Sequence, residues 1–348
     1  MSADVDADVV VVGGGPVGLA TAIEARLAGL SVVVVEPRVG AVDKACGEGL
    51  MPGALAALAR LGVDPDGHPL TGISYRDPRR HVDHAFTGSP GRGVRRTVLH
   101  AALLDRCEGL GVDRVVARVT AVGQWATGVE AAGVRARWLI ACDGLHSAVR
   151  RLVGLEATAP PRWPRRTPAP RFGLRRHFPV APWSSMVEVH WGTDTEAYVT
   201  PVGSAEVGIA LLGPRGTDFA AGLASFPSLA CRLDGLEPTT TVRGAGPLRQ
   251  RTTARSAGRV RLVGDASGYV DALTGEGLRV GFAQARAAIA HLDDGAAYER
   301  AWLAATRDYR VLTSGLVAWA TSPARRAVVP VARAAPRLFG SVVESLAR

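Results

Sequence analysis

The chain has 348 residues, 47% apolar and 21% charged, an ordinary globular composition with room for one large domain or two smaller ones. Its formal charge of +9 favours acidic ligands such as nucleotide phosphates or an anionic membrane face. The arginines are dispersed and no nucleic-acid motif occurs, so nucleic acid is not an expected partner.

Cys46, Cys107, Cys142 and Cys231 form no C-x-x-C pair, which argues against a metal or dithiol site and fits a reducing cytoplasm. The N-terminus lacks the apolar run of a signal peptide, and no stretch approaches the ~20 apolar residues of a membrane helix.

In chain order, Val9 to Val12 predict a buried parallel strand, Pro16 to Ala28 a helix ended by Gly29, and Ser31 to Glu36 a second strand: a βαβ unit. Residues 50–61 carry helical apolar spacing, and 73–94 change to short mixed strands. Arg96 to Leu110 reads as a helix and Trp138 to Cys142 as a buried strand. Residues 159–171, rich in Pro and Arg, predict a crossing between domains. Alternation over Met186–Trp191, Ala197–Pro201 and Val207–Leu212 predicts an antiparallel sheet with one packed face. Val260 to Asp265 returns to a buried strand, Gly277 to Leu292 is a helix, and the rest is a helical tail.

Gly13, Gly15 and Gly18 fit G-x-G-x-x-G between the first strand and helix, where glycines admit a pyrophosphate to the backbone amides and the helix N-terminus adds partial positive charge. Glu36 ends the second strand at the position of a ribose-binding carboxylate, which favours FAD or NAD over NADP at this site. Two further strands end in Asp143-Gly144 and in Gly264-Asp265, placing carboxylates where ligand hydroxyls arrive.

These motifs resemble the flavin monooxygenase and geranylgeranyl reductase superfamily, which shares the para-hydroxybenzoate hydroxylase fold. Asp143, Gly144, Ser147 and Arg150 match its D-G-x-x-S-x-x-R, and Gly264-Asp265 followed by Thr274-Gly275-Glu276-Gly277-Leu278 matches its G-D region. The resemblance implies an α/β fold: a Rossmann-like FAD-binding domain with a parallel sheet (1–72, 95–158 and 245–297), a mainly antiparallel substrate domain (73–94 and 159–244) and C-terminal helices (298–348). It implies that Asp265 meets the ribityl chain, that Gly275, Gly277 and Leu278 meet the flavin pyrimidine, that Arg96 nears the phosphates and that Val119 contacts adenine. Asp143 would touch FAD, NADPH or both.

Residues 43–52, with Lys44, Cys46, Gly47 and Glu48, resemble a cysteine–glycine segment beside the flavin of geranylgeranyl reductases and of related monooxygenases. Lys44 and Glu48 are candidates for an ion pair there, and Cys46 for tuning the ring or touching substrate. The leading expectation is a cytoplasmic monooxygenase of an aromatic or polyketide-like secondary metabolite. It would use FAD, O2 and transient NADPH or NADH, through a flavin C4a-hydroperoxide shielded from water. The alternatives are a reductase of isoprenoid C=C bonds and a non-enzymatic lipid-binding relative; the Asp265 and Gly277 regions argue against the latter. No W-x-W-x-I-P segment supports a halogenase.

His190 and Glu188, on one face of a strand, and Tyr198 are the candidate bases for a phenolic substrate. The arginines at 162, 165, 166, 171, 175 and 176 form either a site for cofactor phosphates or a solvated basic loop. The tail is expected to pack over the FAD domain, with an amphipathic membrane contact as the alternative.

Overall fold

A computed structural model describes residues 5–157 and 169–348. The valine run forms the strand Ala7–Val12 at the middle of a sheet ordered 256–257, 260–262, 134–141, 7–12, 32–35, 113–115. Four of the five pairings along this order are parallel, so the sheet needs cover on both faces, which is why its central strands 7–12 and 32–35 are almost wholly apolar. The helices Pro16–Leu27, Arg96–Gly109 and Gly277–Ala290 cover one face, burying Leu19, Ile23, Leu103 and Phe282 against Val9 and Val11.

The register positions the site. Val12 stands opposite both Val35 and Ala141, and Ala141 opposite Leu262. The segments that follow these strands, at Gly13, Glu36, Cys142 and Val263, therefore leave the sheet side by side at its carboxyl edge, where open α/β sheets bind their ligands.

A second sheet of seven strands is ordered 243–245, 171–178, 206–214, 196–203, 186–191, 72–76, 81–85 and is antiparallel except between 72–76 and 186–191. One face packs Val199, Ile209 and Leu211 against the short helices Phe219–Ala224 and Pro227–Leu233. The other carries Ile73, Tyr75, Val187, Val189, Tyr198 and Leu212 towards the carboxyl edge of the first sheet.

The tail departs from expectation. The helix Gly295–Ala320 does lie on Gly277–Ala290, but Val328–Ala334 and Pro336–Ala347 pack over the seven-stranded sheet. Phe339 and Val343 cluster with Val82, the Phe339 and Tyr75 rings lie 4.9 Å apart, and Glu344 accepts from His84 (2.8 Å) and the Thr87 N–H. Arg325 fixes the preceding turn through Glu196, 2.6 Å away and buried. The apolar side of this helix finds its match in Tyr75 and Val82, which sit at the sheet's far edge.

Candidate active site

A cavity of about 680 Å³ runs from the carboxyl edge of the parallel sheet to the underside of the seven-stranded one. At Gly13 φ is +103°, and a side chain would strike the Cys142 carbonyl at 2.6 Å. At Gly15 the space is open: the nearest atom to a Cβ is an Arg96 guanidinium nitrogen, 3.9 Å away. Arg96 thus stands over the N-terminus of the first helix, with its Nε buried and unpartnered among the described residues. Guanidinium, glycine turn and helix dipole together make an anion seat. His100, buried behind it, must donate its Nε2–H to the Gly14 carbonyl (2.7 Å), and burial lowers its pKa, so it braces the turn as a neutral ring.

Glu36 lines the same cavity and accepts from the Gly14 N–H at 2.8 Å. Burial opposes its ionisation, but the Arg38 guanidinium and that N–H outweigh it and hold the carboxyl below its usual range. Asp143 uses one oxygen to cap Val149 (3.1 Å); the other is buried without a partner among the described residues. Asp265 lies 3.9 Å from the Lys44 ammonium, and both line the cavity with Val119, Gly275, Gly277 and Leu278. Gly18 and Gly264 lie outside it: Gly18 is pressed on the Gly13 carbonyl, and Gly264, at φ +65°, touches Val17 and donates to Gln284.

Arg150, fully buried, joins the two aspartate segments by donating to the carbonyls of Leu145 (3.1 Å) and Ala266 (3.3 Å). This gives the D-G-x-x-S-x-x-R spacing its physical sense: Ser147 caps the turn that carries Arg150, and Arg150 clamps one acid-bearing segment to the other.

An anion seat, the Glu36 carboxylate on the cavity wall, an Asp143 oxygen without a partner among the described residues and a glycine-opened helix start suit an elongated dinucleotide, so these residues fit FAD. The FAD binding domain model matches residues 6–164. Menaquinone reductase from Mycobacterium tuberculosis is 30% identical over 324 residues, covering 84% of this chain and 78% of that protein. The chain belongs to the FAD-dependent oxidoreductases of the para-hydroxybenzoate hydroxylase-like family. Its cofactor is FAD. A 3-(3-hydroxy-phenyl)propionate/3-hydroxycinnamic acid hydroxylase from Mycobacterium sp. (strain JLS) is 33% identical over 183 residues, 46% of this chain and 32% of the hydroxylase. In fold the chain is similar to a flavoprotein/dehydrogenase from Cytophaga hutchinsonii, with TM-score 0.80 and 18% identity over 98% of this chain and 92% of the other.

Beyond the FAD cleft the oxidoreductase encloses an apolar chamber. Register places Tyr75 opposite Val189, Val189 opposite Tyr198 and Tyr198 opposite Ala210, a row of side chains on one sheet face. Val343 and Leu346 of the tail close the chamber. Burial pushes the Tyr75 hydroxyl up to about 12 and that of Tyr198 well above its ordinary value.

Several sequence expectations are corrected here. Glu188 and His190 do share a face, 2.9 Å apart, but it is the face turned to Phe226 and away from the cavity. Tyr198 lines the chamber, but its hydroxyl donates to the Leu273 carbonyl (3.1 Å) and burial raises its pKa well above the ordinary value. Lys44 pairs with Asp265, not with Glu48. Arg171 and Arg175 are neither phosphate ligands nor solvated: both are buried, Arg171 against Glu196 and Asp271, Arg175 against Asp43. Arg176 is tied to the Thr240 carbonyl at 3.0 Å. The arginines at 162, 165 and 166 lie outside the described residues.

Glu48 stands on the cavity wall with its backbone at φ +60°. Its carboxylate accepts from the Arg96 N–H at 2.7 Å and from His177 at 2.5 Å, and the Cys46 sulfur accepts from the Glu48 N–H at 3.4 Å. Sequence reasoning missed His177 and His100. His177 lies on the strand Arg171–Phe178, whose inward face is the polar one, with Arg171, Gly173, Arg175 and His177 all turned in.

Proposed function

We propose that this enzyme hydroxylates an apolar aromatic substrate with O2, taking electrons from NADPH or NADH. The observation that carries the reading is the wall of the chamber: Ile73, Val187, Val189, Leu212, Val343 and Leu346 enclose a space continuous with the FAD cleft. Such a wall excludes water and accepts an aromatic ring with an alkyl or polyketide-like extension. When bound, FAD carries electrons from the reductant towards O2.

The chain's own residues do the rest. The Tyr75 and Tyr198 rings flank the substrate ring. Glu48 accepts the phenolic proton, and His177 acts as a positioning residue that holds the carboxylate in its acceptor orientation. Cys46, beside Glu48, shapes the ring end of the chamber. In this reading residues 1–72, 95–158 and 245–297 bind FAD, residues 73–94 and 159–244 bind substrate, and the tail, residues 298–348, covers the chamber. A peripheral membrane contact suits a greasy substrate. From Tyr309 to Val343 the sequence has five arginines and no acid, and Val331 and Leu338 are exposed there. No helix among the described residues is long and apolar enough to cross a membrane.

One observation favours a second reading, reduction of an isoprenoid C=C bond: similarity to menaquinone reductase covers 84% of the chain, substrate sheet included, whereas similarity to the hydroxylase covers 46%. Oxygen separates the two. With NADPH and a long-chain alkyl phenol, a hydroxylase consumes O2 in step with product and forms none under argon. Anaerobic saturation of a prenyl substrate, with no substrate-dependent O2 uptake, would establish the reductase instead.

A further inference from the structure

A second cavity of about 180 Å³ lies behind the turn Gly264–Ser267. It shares Asp265, Tyr269 and Gly277 with the FAD cleft and reaches down to Trp302 and Thr306 on the helix Gly295–Ala320. Four arginines line it: Arg249, Arg251, Arg255 and Arg310. The Arg255 and Arg310 guanidinia both pack on the Trp302 indole, 3.9 and 5.2 Å from the ring centroid.

The local charge is not balanced. Arg249, Arg251 and Arg310 have no ion pair among the described residues, and Arg255 has Glu299 at 3.5 Å. Asp265, the one acid on the wall, faces Lys44 on the flavin side. Two buried polar atoms on this wall also lack partners among the described residues: the Arg255 Nε and the Thr306 Oγ1, the latter on a residue only 1% exposed. Native proteins rarely leave a buried hydroxyl such as that of Thr306 unsatisfied; water or a ligand completes it.

We propose that this pocket is a binding site for a phosphate group. Planar guanidinium forks match the oxygens of phosphate, and a hydroxyl at the floor supplies a further hydrogen bond. The site is independent of the reaction assigned above. It touches the flavin site through Asp265 and Tyr269.

The test is calorimetric titration of the FAD-loaded protein with inorganic phosphate, alone and in the presence of NADPH or NADH. Saturable binding is expected, weakened about tenfold or more in the Arg249→Gln/Arg310→Gln double variant, with FAD content unchanged. Both arginines are exposed, so the variant retains the fold; Thr306→Val gives a second probe from the floor of the pocket. Competition by NADPH identifies the dinucleotide as the source of the phosphate, and indifference to both dinucleotides identifies a free phosphate or phosphate monoester. Absence of saturable heat, or equal binding by wild type and double variant, overturns the site.

Discussion

The Nε2 of His177 lies 2.5 Å from the Oε2 of Glu48, two residues 129 positions apart in the chain. Arg175 approaches the other ring nitrogen at 2.9 Å and, as a guanidinium, donates. That fixes the tautomer: Nδ1 accepts, and Nε2 carries the proton given to Glu48. Gly208 leaves room for the contact, since a Cβ there would sit 3.1 Å from the Glu48 oxygen and 3.5 Å from the ring.

Glu48→Gln therefore lowers kcat by about 10²-fold, the usual range for loss of a general base, while FAD stays bound. His177→Gln gives a smaller fall in kcat with an altered pH–rate profile, because it disturbs the orientation of the base without removing it. Substrate-dependent O2 uptake measures both. Unchanged kcat in Glu48→Gln would remove Glu48 from the reaction.

The glycine turn gives a contrast between two similar substitutions. Gly13→Ala forces a side chain onto a backbone carbonyl at φ +103°, so it destabilises the fold with or without FAD. Gly15→Ala meets only the tip of Arg96, 3.9 Å off, in space that the phosphates need. It leaves the melting temperature of the apoprotein near wild type and weakens FAD about tenfold or more. Thermal scans of apo and FAD-loaded variants check this; equal effects of the two substitutions would contradict it.

Glu276 gives the molecule a pH dependence. The carboxyl is buried at the start of the helix Gly277–Ala290, with Oε1 unpartnered among the described residues and Arg279 at 2.5 Å on the other oxygen. Burial is the dominant influence and pushes it up to about 7, against the attraction of Arg279. The folded state therefore holds a proton that the unfolded state has already released between pH ~4.5 and ~7. Stability is unpenalised below this window and falls as pH rises through it. Glu276→Gln removes the penalty. Its stabilisation over wild type should be near zero at pH 4.5 and grow to on the order of 2 kcal/mol by pH 8, read from paired denaturant melts. A difference independent of pH would show that the carboxyl is ionised throughout.

Leu346→Trp tests the end wall of the chamber. The residue is 5% exposed and lines the cavity, so the larger ring occupies substrate space. KM should rise about tenfold for a long-chain alkyl phenol and little for a short one, with kcat retained. An equal rise for both would place the alkyl chain elsewhere.

Much of the fold was legible because a parallel sheet must be apolar on both faces. Val9 to Val12 and Trp138 to Ala141 announce themselves, and the glycines and Asp143 and Asp265 follow their strand ends. The strand Arg171–Phe178 was not legible, because its buried face carries Arg171, Arg175 and His177, whose partners Glu196, Asp43 and Glu48 come from other elements. Periodicity places polar residues outward, and here they point in. For Glu188 and His190 the alternation was right and the face was wrong. Which face meets the cavity is set by the helices Phe219–Ala224 and Pro227–Leu233, which cover the other side and leave no mark in the strand itself. The tail was misplaced because its apolar stripe does not reveal its partner.

The proposed hydroxylase holds FAD at one end of one continuous space and a lipophilic aromatic at the other, with Glu48 on the wall. Titrating the FAD-loaded enzyme with a long-chain alkyl phenol, and recording the flavin absorption spectrum, tests this directly. A saturable shift of the flavin bands is predicted, retained in Glu48→Gln and weakened in Leu346→Trp. A flavin spectrum unmoved up to the solubility limit of the phenol would contradict it.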